Sequence, residues 1–515
     1  MDRGSPAPMT RGLPSGARPP VGMTTKVLYG LGAVANAVKA RGLSTFLLIF
    51  YNQVIGLPPQ MVSTAIFIAL IFDAFCDPLV GQISDNFRSP WGRRHPFMYA
   101  AALPVSLAFF LIWNPPSGWS QGELFGYMLA CLLVIRLFDT FFELPSSALA
   151  PELAHDYNER TSLIAIRGLF TVLGGLGMTL MVYQVFMKEG PDGSGGITER
   201  AGYFGYSLFA ALLIFTVIIV STTGTFRQIP YLRQPPVRKI GFRLMAREVA
   251  ATLNNRSFVV AAVAGMFIAV AMGLKNGLEL YFALYFFQLT QGQLSILTIV
   301  GVAASVAGVM LAPRAGALFG KKRAAITLFT GALATGITPL TITLMGIAPP
   351  PGSDAMFYII FVETFFNGAM AVATGVLLSS MIADVVEDAE VKTGRRSEGL
   401  LFSAVNLFKK IVSGMGIFVS GSLLAFVNFP ANAKRGQVDP DILRELALIY
   451  LPLATALYGS AILCLFAFKI DKATHESNLT KLKDAAALAE LSGADDQIGG
   501  LPGVAGGAAP VAPRG

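Results

Sequence analysis

Twelve stretches of this chain are each long and apolar enough to cross a bilayer. They fall near 27–54, 60–84, 96–114, 124–149, 162–187, 203–226, 257–288, 293–318, 324–348, 356–383, 399–428 and 446–469. At 1.5 Å per residue, roughly 20 apolar residues cover about 30 Å of hydrocarbon as a helix. Inside hydrocarbon every backbone N–H and C=O must find a partner within the protein, which leaves helices and closed barrels. A barrel strand needs only about ten residues, so runs of this length predict helices. The expected fold class is an all-α membrane protein with twelve transmembrane helices in two six-helix pseudo-repeats. Composition agrees: the 515 residues are 54% hydrophobic and 14% charged, where a soluble chain carries about 25% charged residues.

Charge in the connecting loops alternates. Arg3, Arg11, Arg18 and Lys26 precede the first span; Arg88, Arg93 and Arg94 follow the second. The central loop holds seven arginines and lysines between Arg227 and Arg256, and further clusters follow spans eight (Lys321, Lys322, Arg323) and ten (Lys392, Arg395, Arg396). The intervening loops 55–59, 115–123, 289–292 and 349–355 hold no Lys or Arg, while 188–202 and 429–445 mix signs. The positive-inside rule then predicts cytoplasmic termini. It also reads the net charge of +8 as membrane orientation rather than as a nucleic-acid footprint.

A repeat underlies the alternation. "DPLVGQISDNFRSPWGRR" leaves span two and "APRAGALFGKKR" leaves span eight, each running from Pro to Gly to a basic cluster. "PELAHDYNERTSLIAIRGLF" and "ADVVEDAEVKTGRRSEGLLF" correspond in the same way. The chain is therefore expected to divide into a disordered cytoplasmic tail at 1–25, a six-helix half at 26–226, a basic linker at 227–256, a second half at 257–470 and a cytoplasmic tail at 471–515. Two such halves form the parallel-repeat architecture of transporters. The repeat is chemically unequal, because Ala312 stands where the first half has Asp77.

Ionisable residues inside apolar spans are expensive and mark ion or substrate paths. Asp73 and Asp77 lie at i and i+4 in span two; Arg136, Asp139 and Glu143 form one stripe in span four. Span five holds Arg167, and span eleven holds Lys409 and Lys410. Two carboxylates one turn apart offer hard oxygen ligands and two negative charges to a small cation. Like charges this close also raise one pKa, so the pair suits Na⁺ or H⁺ equally. Plainer roles are expected elsewhere. Asp85 is placed in a cytoplasmic latch with Arg93 or Arg94, and Asp384 with Arg395 among gate salt bridges. Arg136 is expected to neutralise Asp139. Lys275 and Glu279, at i and i+4 in span seven, are expected either to satisfy each other or to serve function, and Lys39 in span one is an anion-contact candidate.

Several classes are excluded. Cys76, Cys131 and Cys464 are too scattered for a disulfide framework or a zinc site. The sequence has no P-loop, HExxH or GxSxG motif, which removes an ATP-driven pump and a membrane hydrolase. No cofactor is expected beyond a coupling ion.

"FDAFCDPLVGQISDNFRSPWGRRHPF" resembles the second-span signature of the glycoside–pentoside–hexuronide:cation symporters, the melibiose permease family of the major facilitator superfamily. "IADVVEDAEVKTGRRSEGLLFSAVNLFKK" resembles that family's tenth-to-eleventh segment, and the resemblance runs over roughly 25–470. It implies that Asp73 and Asp77 bind the coupling cation beside Thr140. It implies that Glu143 and Arg167 contact the sugar, and that Lys410 links the two sites. Asp139 and Lys39 complete the expected substrate set. The sequence departs from the family at Ala37 and Asn36, where the permease has an aspartate and a lysine, and at Ser147, where it has a sugar-stacking tryptophan. Those changes keep an amphiphilic or anionic non-sugar substrate open beside a small glycoside. The expectation is a monomeric, multi-pass secondary transporter of the bacterial inner membrane, coupled to Na⁺ or H⁺ and working by alternating access.

Overall fold

The protein is described by a computed structural model over residues 21–154, 156–190, 196–232, 256–393 and 398–467, with the backbone alone at 157, 231, 256–258, 261, 383–393 and 398–409. The helices are α1 (Met23–Val54), α2 (Pro59–Asn86), α3 (His95–Ile112), α4 (Gln121–Leu153), α5 (Tyr157–Met181), α6 (Ala201–Phe226), α7 (Arg256–Tyr281), α8 (Gln291–Phe319), α9 (Lys321–Leu344), α10 (Asp354–Thr393), α11 (Glu398–Phe426) and α12 (Pro440–Phe466). Among the described residues eleven are long and apolar enough to cross a membrane; the part of α11 described with side chains, Lys410–Phe426, is apolar but shorter. The span expectations match these helices, with two differences. α10 runs on to Thr393 because a helix need not stop where its apolar run does. α12 starts early because Asp439 caps it, its side chain accepting from Asp441 N at 3.0 Å, and Pro440 occupies the first helical position.

Local signals set several starts. Ser120 and Glu123 form a reciprocal capping box at α4, and Thr290 and Gln293 form another at α8. Asp156 opens α5 by accepting from Asn158 N and Glu159 N. α1 and α7 both run into a π-helical turn, Phe50–Val54 and Phe282–Phe286. This shared irregularity is a structural trace of the repeat.

Packing follows the same repeat. In the first half α1 packs on α5 and α6, and α4 on α2 and α3; in the second, α7 packs on α11 and α12, and α10 on α8 and α9. The halves meet along α2 and α11 and along α5 and α8. The α2–α11 seam is a ladder: Ser63 Oγ reaches Phe418 O at 3.5 Å, Phe67 and Phe418 stack with centroids 5.8 Å apart, and Lys410 meets Asp73 and Asp77.

The end of the bundle opposite the start of α1 carries a network between the halves. Tyr281 Oη donates to Asn52 Oδ1 at 2.8 Å, Gln53 Nε2 to Pro430 O at 3.0 Å, and Ala433 N to Gln53 Oε1 at 2.9 Å. Gln184 reaches Ser295 at 2.8 Å, and Arg435 pairs with Glu189 at 2.9 Å, joining the two mixed-sign loops. Asn52 and Gln53 are buried amides, so their hydrogen bonds must be made within the protein.

Candidate functional site

α4 is the hub of a polar cluster. Successive side chains on it face three neighbours: Arg136 and Thr140 turn to α2, Asp139 to α1, and Glu143 with Ser146 to α5. Arg136, Asp139, Thr140 and Glu143 form one stripe about 100° wide, with Asp139 at one edge and Thr140 at the other, so different neighbours meet different members of it.

The first group lies between α2, α4 and α11. Asp73, 3% exposed, and half-buried Asp77 each present an oxygen to the Thr140 hydroxyl, at 3.2 and 3.1 Å. The other carboxylate oxygens meet Lys410 Nζ, 2.7 Å from Asp73 Oδ2 and 2.7 Å from Asp77 Oδ2. Arg136 Nη1 stands 3.6 Å from Asp73 Oδ2. Pro78 follows within the helix and has no N–H to give to the Ala74 carbonyl one turn back, which leaves a further oxygen acceptor on this helix. The set is two carboxylates, one hydroxyl and two basic groups, so it already balances in charge.

The second group lies between α1, α4 and α5. Arg167 Nη2 pairs with Glu143 Oε1 at 2.5 Å, while its Nη1 donates to Tyr29 Oη at 2.9 Å and reaches Ser146 Oγ at 3.4 Å. Tyr29 Oη donates onward to Ser146 O at 3.1 Å. Glu143 Oε2 is buried and has no hydrogen-bond partner among the described residues, which makes it an acceptor available to a ligand hydroxyl. Lys39, 1% exposed, pairs with Asp139.

Several placements correct the sequence reading. Arg136 turns to Asp73, not Asp139, which takes Lys39 instead; neighbouring helices decided the pairing, not spacing along α4. Lys39 is therefore held by an internal carboxylate in this conformation. Lys275 donates to Asn367 Oδ1 on α10 at 3.1 Å, where its spacing had offered Glu279 as partner. Asp85 meets Arg94 at 3.3 Å, but Arg93 and Arg94 both grip Glu152 at the end of α4, the latter at 2.9 Å. Glu152 was missed, although it sits in the quoted repeat segment. Asn52, Gln53, Tyr29 and Glu363 were also missed; Glu363, a lone acid in "FVETFFNG", was the detectable one. The side chains of Asp384 and Arg395 lie outside the described residues. Of the family departures, Ala37 is buried and Ser147 is exposed, with Oγ donating to Leu144 O at 3.0 Å.

Twelve helices in paired sixes, with balanced charge at the seam between them, define a two-half membrane transporter. A family model described as MFS/sugar transport protein matches residues 28–472, and the chain belongs to that family. It is 26% identical to the uncharacterized symporter sll1374 of Synechocystis, over 88% of this chain and 95% of that one. It is 25% identical to the putative glycoside/cation symporter YagG of Escherichia coli, over 88% and 94%. The crystal structure of the nucleoside transporter NupG has the same fold, with a TM-score of 0.58 at 13% identity over 87% of this chain and 100% of that one. The chain is thus a multi-pass secondary transporter of a small molecule, coupled to a cation, and not an enzyme.

Proposed function

We propose that this protein carries a small glycoside by symport with a cation, Na⁺ in the first instance, bound by Asp73, Asp77 and Thr140. One observation supports this reading most: Lys410 Nζ sits 2.7 Å from one oxygen of each aspartate. An ammonium in that position supports a site for one positive charge between the two carboxylates. With Lys410 and Arg136 present the site is neutral. A bound Na⁺ makes one positive charge surplus, and Lys410, on the opposite half, is the group free to swing away.

That displacement couples the two solutes. Freed from the aspartates, Lys410 turns to the substrate beside Glu143 and Arg167. Glu143 Oε2 accepts from a sugar hydroxyl, and Arg167, held by Tyr29, donates to a ring or hydroxyl oxygen. Cation and substrate each bind better when the other is present, which is the linkage symport requires. The halves then rock about the filled site. In this reading the halves span 26–226 and 257–470 about the linker 227–256. The protein is a monomer in the bacterial inner membrane with cytoplasmic termini, and Asp85, Arg93, Arg94, Asp384 and Arg395 serve the cytoplasmic gate.

The test is gradient-driven uptake in membrane vesicles, using a panel of glycosides, free sugars and lysolipids under imposed Na⁺ or H⁺ gradients. A glycoside is expected to accumulate with Na⁺, and Asp77→Asn to abolish accumulation. Unchanged accumulation in Asp77→Asn overturns the cation site; accumulation of lysolipid alone overturns the substrate class.

A further inference from the structure

A second polar cluster stands apart from the α2–α4–α11 seam. On α7 lie Lys275 and Glu279, one turn apart; on α10 lie Glu363 and Asn367, likewise one turn apart. Lys275 Nζ donates to Asn367 Oδ1 at 3.1 Å, and Asn367 Nδ2 donates to Ala332 O on α9 at 2.7 Å. Glu363 has no ion pair within 4 Å among the described residues; its Oε2 lies 3.5 Å from the neighbouring Thr364 hydroxyl. The lysine is thus held by a neutral amide while the half-buried carboxyl beside it goes without a cation.

A cleft lies on the same two helices. A cavity of about 250 Å³ between α7 and α10 is lined by Ile268, Ala269 and Met272 on one side and by Gly375, Leu378 and Ser379 on the other. Rows of residues four apart continue these walls to the cluster. Gly375 leads by way of Ala371 to Asn367 and Glu363, and Met272 lies one turn from Lys275. The cavity is on the side of the bundle where α1 begins, and Asn367 lies about two turns of α10 beyond its Gly375 wall.

We propose that Glu363, with Lys275 and Asn367, is a second ion site of this transporter, located in the second half and specific for a proton. A carboxylate at mid-span without an ion pair is costly, and protonation removes the charge without a ligand shell. A metal ion would find few oxygen ligands here, one carboxylate and one amide oxygen beside it. When Glu363 loses its proton it attracts Lys275 away from Asn367, one helical turn along α10. The step draws α7 and α10 together at the head of the cleft; protonation releases it. Among the described residues, the charged and titratable groups facing Glu363 are Lys275 and Glu279 from α7 and Tyr450 from α12, while Tyr458 of α12 faces Lys275 and Glu279. Tyr183, in the turn that continues α5, faces Glu279 from the first half and has Arg41 of α1 near it. This site needs neither Asp73 nor Asp77.

The experiment is infrared spectroscopy of the full chain in lipid nanodiscs at neutral pH, without Na⁺ or substrate. Wild type is expected to show a carboxylic-acid C=O band that Glu363→Gln removes and Glu363→Asp shifts. Lys275→Met is expected to intensify it, since loss of the ammonium favours the neutral acid. Asp77→Asn is expected to leave it in place, which separates this site from the α2–α4–α11 cluster. A Glu363→Gln spectrum identical to wild type overturns the proposal. Where that variant does not fold, an unshifted band in Glu363→Asp with no change in Lys275→Met overturns it equally.

Discussion

Lys410 and Asp77 are 333 positions apart in the chain and 2.7 Å apart in space. The contact joins α11 to α2 across the seam between the halves, so the cation site is closed by a residue of the opposite half.

Removing the ammonium tests whether it competes with the cation. In Lys410→Met the aspartates keep Arg136 and Thr140 but lose the charge at the cation position. Hydrogen bonds to charged groups contribute about 1.5–3 kcal/mol each, so Na⁺ affinity without substrate should rise about tenfold or more. Coupled uptake should fall to background, because nothing then reports cation occupancy to the substrate. Na⁺-dependent thermal stabilisation and vesicle uptake measure the two effects; weaker Na⁺ binding in Lys410→Met would refute competition.

Among the described residues Thr140 is the one neutral side chain that hydrogen-bonds to both aspartates. Thr140→Val keeps its shape and β-branch and deletes the oxygen. Cation affinity should drop about tenfold, roughly 1.4 kcal/mol, with the Arg167–Glu143 pair undisturbed. Titrating Na⁺ against thermal stability gives the constant, and an unchanged value would remove Thr140 from the site.

The two readable layers of this protein are its spans and its charged stripes. Spans were legible because bilayer thickness sets a length that apolar runs must meet, and loop charge checked the count. The aspartates and Arg167 were visible as charges out of place. Partner choice was not visible. Arg136 and Asp139 are adjacent on α4, yet each is satisfied by a different helix, and the sequence holds no record of those angles. Glu152 escaped because it lies at a helix end, where an acid looks like ordinary solvated surface. Asn52 and Gln53 escaped because amides near the end of an apolar run look like interfacial residues until a facing half is in place.

Glu152 anchors the loop after α2. Arg94 is 7% exposed at its side chain, Glu152 13% and Asp85 58%. Burial lowers the pKa of Arg94, with Glu152 and Asp85 acting against that. Neutralising Glu152 leaves two guanidinium groups facing an uncharged amide, and breaking a buried pair costs about 3–5 kcal/mol. Glu152→Gln should fall at the low end of that range because Asp85 still reaches Arg94. Asp85→Asn should cost under about 1 kcal/mol, as exposed pairs do. Thermal unfolding of the two variants gives the order, and equal losses would contradict it.

Close packing of α11 on α7 holds α11 in place to present Lys410. A Cβ built at Gly416 meets backbone on α7: the carbonyl of Val270, the nitrogen of Leu274 at 2.8 Å and the Cα of Gly273 at 2.9 Å. Backbone atoms cannot turn aside as a side chain can, so even alanine must push the two helices apart; small residues are what allow such a crossing. Gly416→Ala should therefore destabilise the protein by about 1–3 kcal/mol, the usual range for overpacking. Gly301, whose Cβ would meet nothing within 4 Å, provides the control: Gly301→Ala should leave the unfolding midpoint unchanged or raise it slightly. Lys410 lies six positions before Gly416 on the same helix, so a displaced α11 also moves its ammonium from the aspartates. Gly416→Ala should thus lower the Na⁺ concentration that half-saturates residual uptake as well as lower stability. Wild-type stability in Gly416→Ala would show that α7 and α11 are further apart than this structure places them.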